Sequence, residues 1–375
     1  MIKQKIMRSD YSYPLLEQIA QLYKTEEKTF ENVYLLACQH ILSPQAKMFE
    51  LINKFGIPKE NIHIFGKIYS TNNEVLKELR VEGFNVSDPI FNSEIPFDTE
   101  HYGNCKKEFN AFISSIKSSS RIIILDDGGE LLKVANELFE IIPSGVSVVG
   151  VEQTSSGFRK LENAEHNFPI FNVARSAIKL TKESPIIADI GCKRIVGVIS
   201  QYSIDARILL VGLGPLGSSI LSWFKENKYF TLGYDIANHD KTELLDLIQD
   251  NNINLIIGVT GSNILDESTL QNIKKSINHN LYLISMSSSD REFPAVYMRK
   301  NVSGLNGIHA DIKWDNIVLI NNGFPITFKG NRYESTPQEI ERTIALLLGS
   351  VMEAAITDEI KSGFLDVPVN VAGLL

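Results

Sequence analysis

The residues with the most legible chemistry are Gly212, Gly214 and Gly217, within Arg207-Ile208-Leu209-Leu210-Val211-Gly212-Leu213-Gly214-Pro215-Leu216-Gly217. An apolar run ends in G-x-G-x-x-G and passes directly into a segment of helical spacing. In a dinucleotide-binding unit the first glycine makes the turn and the second lets the backbone approach a pyrophosphate. The third lets helix and strand pack closely, with the helix N-terminus facing the anion. Pro215 and Leu216, at the opening of that helix, belong to the same predicted cradle. A second β-like run, 229–234, ends at Asp235, whose carboxylate can accept both ribose hydroxyls of NAD and repels a 2′-phosphate. No arginine or lysine follows before Lys241, which also favours NAD over NADP. A glycine-tight βα turn without a ligand is the competing reading, because three glycines alone occur by chance.

The elements that must position this loop follow from apolar periodicity. Buried-strand patterns recur at 33–37, 62–65, 121–125 and 146–149, separated by helical spacing at 44–55, 73–80, 109–116 and 131–142. A stretch richer in polar residues covers 152–185, and 192–200 reads as a linking helix. The alternation then resumes with strands 207–211, 229–234, 253–259 and 281–285 and helices 216–226, 241–250 and 265–275. A closing hairpin is expected over 317–328 around Asn321-Asn322-Gly323. Thr336-Pro337-Gln338-Glu339 is a helix start, with Thr at the N-cap, Pro at N1 and Glu at N3. The helix it opens carries an apolar stripe at Ile340, Ile344, Leu347, Leu348 and Val351. The opening stretch, to about residue 31, reads as a short helix or arm. Such alternation predicts an α/β chain with two Rossmann-like, doubly wound parallel sheets and a cleft between them. The expected domains are 1–184, completed by 336–375, and a cofactor domain at 185–335.

Bulk properties narrow the class. A chain of 375 residues exceeds one ordinary core. Its 43% hydrophobic and 22% charged residues and its mean hydropathy of −0.03 are those of a globular protein. The net charge of −8 gives no reason to expect nucleic acid or an anionic membrane. No signal-peptide pattern and no membrane-length apolar run is visible, so a cytoplasmic protein is expected. The three cysteines, Cys38, Cys105 and Cys192, are far apart in sequence, and the seven histidines form no i, i+4 pair and no H-x-E. Neither a disulfide framework nor a metal site is expected.

Leu125-Asp126-Asp127-Gly128-Gly129-Glu130-Leu131 resembles the D-D-G-G-D-L segment of S-adenosylhomocysteine hydrolases (adenosylhomocysteinases). Later pieces follow in that family's order. Glu152-Gln153-Thr154-Ser155-Ser156-Gly157 resembles its E-E-T-T-T-G, and Pro169-Ile170-Phe171-Asn172-Val173 its P-A-I-N-V, with Lys179 at the spacing of the family lysine. Gly191-Cys192 matches its Gly-Cys, and Thr260-Gly261-Ser262 resembles the T-G-C turn beneath the cofactor. Upstream, Cys38-Gln39-His40 and Ile68-Tyr69-Ser70-Thr71 resemble C-x-H and I-F-S-T. The resemblance spans about residues 33–355.

It implies bound NAD and a redox-neutral cycle on a ribose. The 3′-hydroxyl is oxidised, the neighbouring C–H becomes acidic, the 5′ substituent leaves, water adds and hydride returns. By the same resemblance Asp127 handles sugar hydroxyls and Lys179 assists their deprotonation. Glu183 stands near the family aspartate that takes the 4′ proton, and His40 works at the leaving group. Gln153 and Ser70 are placed on the substrate, and Thr260, Gly261 and Cys192 by the cofactor. Taken alone, Asp127 also reads as an Asp-Gly-Gly turn, Lys179 as a solvated lysine and His40 as a packed core histidine. Several family groups are replaced. The adenine-holding threonine and glutamate fall on Leu42 and Pro44. The glutamate of E-E-T-T-T-G becomes Gln153, and an asparagine becomes Lys67. A histidine falls on Ser288 and a second asparagine on Thr327, and the family's lysine- and tyrosine-bearing tail has no counterpart.

Three readings follow. The first is an NAD-dependent enzyme of this type that oxidises a secondary hydroxyl of a nucleoside-like or sugar-like molecule, with altered specificity. The second is a non-catalytic NAD-binding regulatory homologue, and the third is true S-adenosylhomocysteine hydrolysis. A small-molecule substrate and a homo-oligomer, a dimer, are expected as partners.

Overall fold

The computed structural model describes residues 11–23, 30–235, 241–357 and 361–375. The parts of the opening arm at 1–10 and 24–29 lie outside these, as does the stretch after Asp235 in which the sequence offers no basic partner for a 2′-phosphate. The chain forms two compact units, one of 1–90, 101–183 and 330–375, the other of 91–100 and 184–329. The short segment 91–100 thus belongs with the cofactor-type unit, which its position in the sequence does not announce.

The first unit is a sheet of β1 (Val33–Cys38), β2 (Ile62–Phe65), β3 (Asn85–Val86), β4 (Arg121–Asp126), β5 (Ser147–Glu152), β6 (Pro169–Asn172) and β13 (Gly363–Leu365). Its order is β13-β6-β5-β4-β1-β2-β3, and every neighbouring pair is parallel. All six residues of β1 are buried. This explains why its sequence is continuously apolar: helices cover both faces, so neither set of alternate side chains meets water. The helix Pro337–Ile356 closes one face, with Ile344, Leu347, Leu348 and Val351 fully buried in the unit's own core. Each such side chain contributes about 1.5–3 kcal/mol. The backbone N–H and hydroxyl of Thr336 both donate to the Glu339 carboxylate, at 2.8 and 2.7 Å, which fixes the start of this helix.

The second unit contains β7 (Arg207–Val211), β8 (Phe230–Tyr234), β9 (Leu255–Gly258), β10 (Leu281–Ser285), β11 (Ile312–Trp314) and β12 (Ile317–Leu319). They are ordered β11-β12-β10-β9-β7-β8, parallel except for the β11–β12 pair. The chain is therefore α/β, with two doubly wound sheets. The expected hairpin around Asn321-Asn322-Gly323 is displaced. Trp314 faces Ile317, so the hairpin turns at Asp315 and Asn316. Residues 320–323 instead form a tight turn in which Asn321 and Asn322 both take positive φ. The Asn321 side-chain amide donates to the carbonyls of Phe324, Pro325 and Phe328, so its polarity serves a loop anchor. Among the described residues no helix is long and apolar enough to cross a membrane.

Candidate functional site

In each sheet the chain leaves its first strand to one side and later returns to the other. The reversal falls between β1 and β4 in the first unit and between β7 and β9 in the second. In open α/β sheets the carboxyl ends of strands at such a reversal form the ligand crevice, because the two flanking loops run apart there.

In the first unit, His40 follows β1, Lys67 and Ser70 follow β2, and Asp127 follows β4. Strand pairing alone brings these four together. His40 Nε2 lies 3.0 Å from Asp127 Oδ2, and its Nδ1 lies 2.7 Å from Ser70 Oγ. Lys67 Nζ donates to Asp127 Oδ1 at 2.5 Å. Burial would raise the Asp127 carboxyl, but the charges and hydrogen bonds of His40 and Lys67 outweigh it and hold the group well below the usual carboxylate range. Burial likewise opposes the charge on Lys67, yet Asp127 holds its ammonium well above the ordinary lysine value. The pair is therefore ionised across the physiological range. Ser70, His40 and Asp127 have the order of a nucleophile, base and orienting acid, but Ser70 is fully buried, so its hydroxyl anchors the imidazole and does not attack.

Lys179 and Glu183 form a pair of their own at 3.1 Å, one turn apart. The structure thus joins Lys179 to Glu183 and not to Asp127. Gln153 is buried beyond β5, and its Oε1 has no hydrogen-bond partner. Beside it, Glu152 accepts from the Thr154 amide and hydroxyl at 2.7 and 2.8 Å. Burial and the neighbouring Asp126 push Glu152 well above the carboxylate range, so it is neutral. Burial also lifts Asp126, to about 7, with Cys105 and Glu130 adding to the effect. Leu42 and Pro44 are buried in the same unit.

The glycine-rich loop of the second unit connects β7 to the helix Pro215–Glu226. A Cβ on Gly217 would stand 1.9 Å from the Gly212 carbonyl oxygen, so the helix can approach the strand only with glycine here. Gly214 differs. Its φ of −62° suits any residue, and a Cβ there would meet nothing within 4 Å. Nothing within the fold demands glycine at 214, which leaves an approach from outside as the physical reason for it. Gly214 and Pro215 are exposed and Leu216 is half-buried. The Leu213 amide donates to Asp235 Oδ2 at 2.8 Å, which fixes the carboxylate at the loop. These features fit a dinucleotide: an open backbone at the helix start and an acidic group at the end of the next strand.

Opposite, after β9, Thr260 and Gly261 are held by Glu292, a residue to which the sequence draws no attention. Its fully buried carboxylate accepts from the Thr260 and Gly261 amides at 2.6 and 3.1 Å. It also accepts from the hydroxyls of Thr260, Ser285 and Ser287 at 3.0, 2.6 and 3.0 Å. One side chain therefore ties the loops after β9 and β10 together. Glu292→Ala is expected to cost about 3 kcal/mol in denaturant unfolding, since several buried donors lose a charged acceptor. A loss under about 0.5 kcal/mol would deny Glu292 this role. Cys192 lies fully buried in the core beneath, among Ala188, Ile195 and Ile208, and burial raises its thiol to about 12. Its place is structural packing, so the expectation that it meets the cofactor loses its geometric basis.

No family model matches the chain. It is 30% identical over 365 residues to "Uncharacterized protein Rv0104" of Mycobacterium tuberculosis (strain ATCC 25618 / H37Rv), a match covering 94% of this chain and 69% of that protein. "Uncharacterized protein MT0113" of strain CDC 1551 / Oshkosh matches to the same extent. Among solved structures, a dipicolinate synthase from Bacillus halodurans aligns over 88% of this chain and all of its own, at 9% identity and a TM-score of 0.38. D-2-hydroxyisocaproate dehydrogenase aligns over 88% of this chain and 98% of its own, at 10% identity and a TM-score of 0.37.

Proposed function

The chain belongs to the family of those two mycobacterial proteins, and we propose that it is an NAD-dependent enzyme oxidising a secondary hydroxyl of a nucleoside-like or sugar-like substrate. The observation that carries the reading is the His40–Asp127–Lys67–Ser70 network at the sheet reversal of the first unit. The NAD assignment rests on the open Gly214 backbone, the Gly212–Gly217 turn and the Asp235 carboxylate fixed beside it. When bound, NAD supplies a hydride acceptor. Everything else falls to the chain's own side chains. Asp127, ionised and held on both oxygens, orients His40 and presents a negative edge to sugar hydroxyls. His40, anchored at Nδ1 by Ser70, is the group of suitable basicity to exchange a proton with substrate. Lys67 offsets the Asp127 charge, a position that the resemblance to S-adenosylhomocysteine hydrolases gives to an asparagine. The Lys179–Glu183 pair supplies a second proton donor and acceptor. The orphaned Gln153 amide oxygen is a ready acceptor for a ligand hydroxyl, since buried polar atoms seldom stay unpaired.

Leu42 and Pro44 argue against adenine in the usual manner. Neither side chain can hydrogen-bond a purine edge, so a nucleoside with another base, or a free sugar, is favoured over S-adenosylhomocysteine. Purified protein mixed with NAD and a panel of nucleosides and sugars is expected to develop the absorbance of reduced nicotinamide. Release of a thiol from S-adenosylhomocysteine would instead support hydrolysis of that substrate. NAD binding without any spectral change would support a regulatory homologue. Lys179→Ala is expected to slow nicotinamide reduction by at least about a hundredfold, the scale of a lost proton-transfer group. An unaltered rate would remove Lys179 from the mechanism.

A further inference from the structure

Cys38 and Cys105, far apart in sequence, meet in the structure, contrary to the expectation of three isolated thiols. Cys38 ends β1, while His101 and Cys105 lie one turn apart on the helix Phe97–Ile113. His101 Nε2 stands 3.7 Å from Cys38 Sγ and 3.8 Å from Cys105 Sγ, and all three donor atoms lie within 4.8 Å of one another. We propose that Cys38, His101 and Cys105 form a buried zinc site in the first unit, separate from the His40–Asp127 network.

The spacing fits a shared ion. With Zn–S near 2.3 Å and Zn–N near 2.0 Å at tetrahedral angles, sulfur and nitrogen ligands stand about 3.5 Å apart. The observed separations need only a few tenths of an ångström of contraction. The i, i+4 relation of His101 and Cys105 places both on one helix face, aimed at the strand that carries Cys38. Two thiolates and an imidazole form a soft N/S set that selects zinc over calcium or magnesium. The surroundings also call for a cation. Asp126, at the end of the neighbouring β4, is fully buried, and its Oδ1 carries no hydrogen bond. Lys67 is the cation acting on Cys38 and His101, and Glu130 the further acid acting on His101 and Cys105. The Lys67 charge is already committed to Asp127, at 2.5 Å. With three protein ligands, a fourth position remains for water or an exogenous donor. All three side chains are buried, which places the ion inside the fold, on the face built around Phe65 and Phe109.

The test uses the full chain, purified under reducing conditions without chelators and dialysed against zinc. About one zinc per chain is expected by elemental analysis, falling at least tenfold in Cys38→Ser/Cys105→Ser. Because those variants could fold poorly, the wild-type protein is also titrated with cobalt(II), which gives thiolate-to-metal charge-transfer absorption only when sulfur binds the ion. Stoichiometric metal with that absorption supports the site. Substoichiometric zinc, cobalt bound without thiolate absorption, or zinc retained in the folded double variant would overturn it.

Discussion

Asp127→Asn is expected to destabilise the protein by about 3–5 kcal/mol at neutral pH and to reduce nicotinamide turnover by at least about a hundredfold. The stability loss comes from Lys67. Its ammonium is buried, with a side-chain exposure of 4%, and Asp127 is its ion partner at 2.5 Å. An asparagine leaves that charge in a poorly solvating interior. The pH dependence has a definite sign. The folded-state pKa of Asp127 is depressed, so its contribution is present above the unfolded value of about 4 and is lost as pH falls through the folded value. The folded-state pKa of Lys67 is raised, so its share is present below about 10.4 and is lost as pH rises through the folded value. The gap between wild type and variant is therefore widest between about pH 5 and 9 and narrows on acidification. Adding Lys67→Met to Asp127→Asn is expected to recover much of the stability but none of the activity, because an apolar pair does not carry the desolvation cost of a lone charge. Urea unfolding of the two single variants and the double variant measures this. An Asp127→Asn protein within about 0.5 kcal/mol of wild type at pH 7 would show that the pair does not hold the site.

Two alanine substitutions in the glycine-rich loop are expected to separate folding from cofactor binding. In Gly217→Ala the new methyl would lie 1.9 Å from a backbone oxygen, and the loop must move. Such overpacking costs about 1–3 kcal/mol, and NAD affinity should fall about 10- to 100-fold together with the melting temperature. In Gly214→Ala the methyl meets no neighbour and the φ is ordinary. Stability should therefore stay within about 0.5 kcal/mol, while NAD affinity falls at least tenfold because the methyl stands where the pyrophosphate approaches. Calorimetric titration with NAD beside thermal unfolding reads both quantities. If Gly214→Ala binds NAD as tightly as wild type, the open backbone is not the phosphate cradle.

The alternation of strands and helices is legible in the sequence because it is local. Continuous apolar runs such as 121–125 and 281–285 can be satisfied only by a strand buried on both faces, and the structure places β4 and β10 there. The start of the helix at Pro337 is equally legible, since capping chemistry needs only adjacent residues. The turn at 321–323 is ambiguous in the sequence because its asparagines suit a hairpin and an isolated left-handed turn equally well. What distinguishes them is the pairing of Ile312–Trp314 with Ile317–Leu319. The short edge strand Gly363–Leu365 carries too little pattern to read, and it is defined by its neighbour β6.

The sequence by itself determined the α/β class, the glycine-rich turn and the acidic residue after the next strand. Each depends on the spacing of residues within one supersecondary unit. Only the tertiary structure decided what the polar residues do. It paired Lys67 with Asp127, turned His40 between Asp127 and Ser70, and joined Lys179 to Glu183. It also made Glu292 the anchor of two loops and brought Cys38 to His101 and Cys105. The reason is physical. A charged or soft side chain acquires its chemistry from the partner and dielectric around it, and most of those partners arrive from strands and helices far away in the chain.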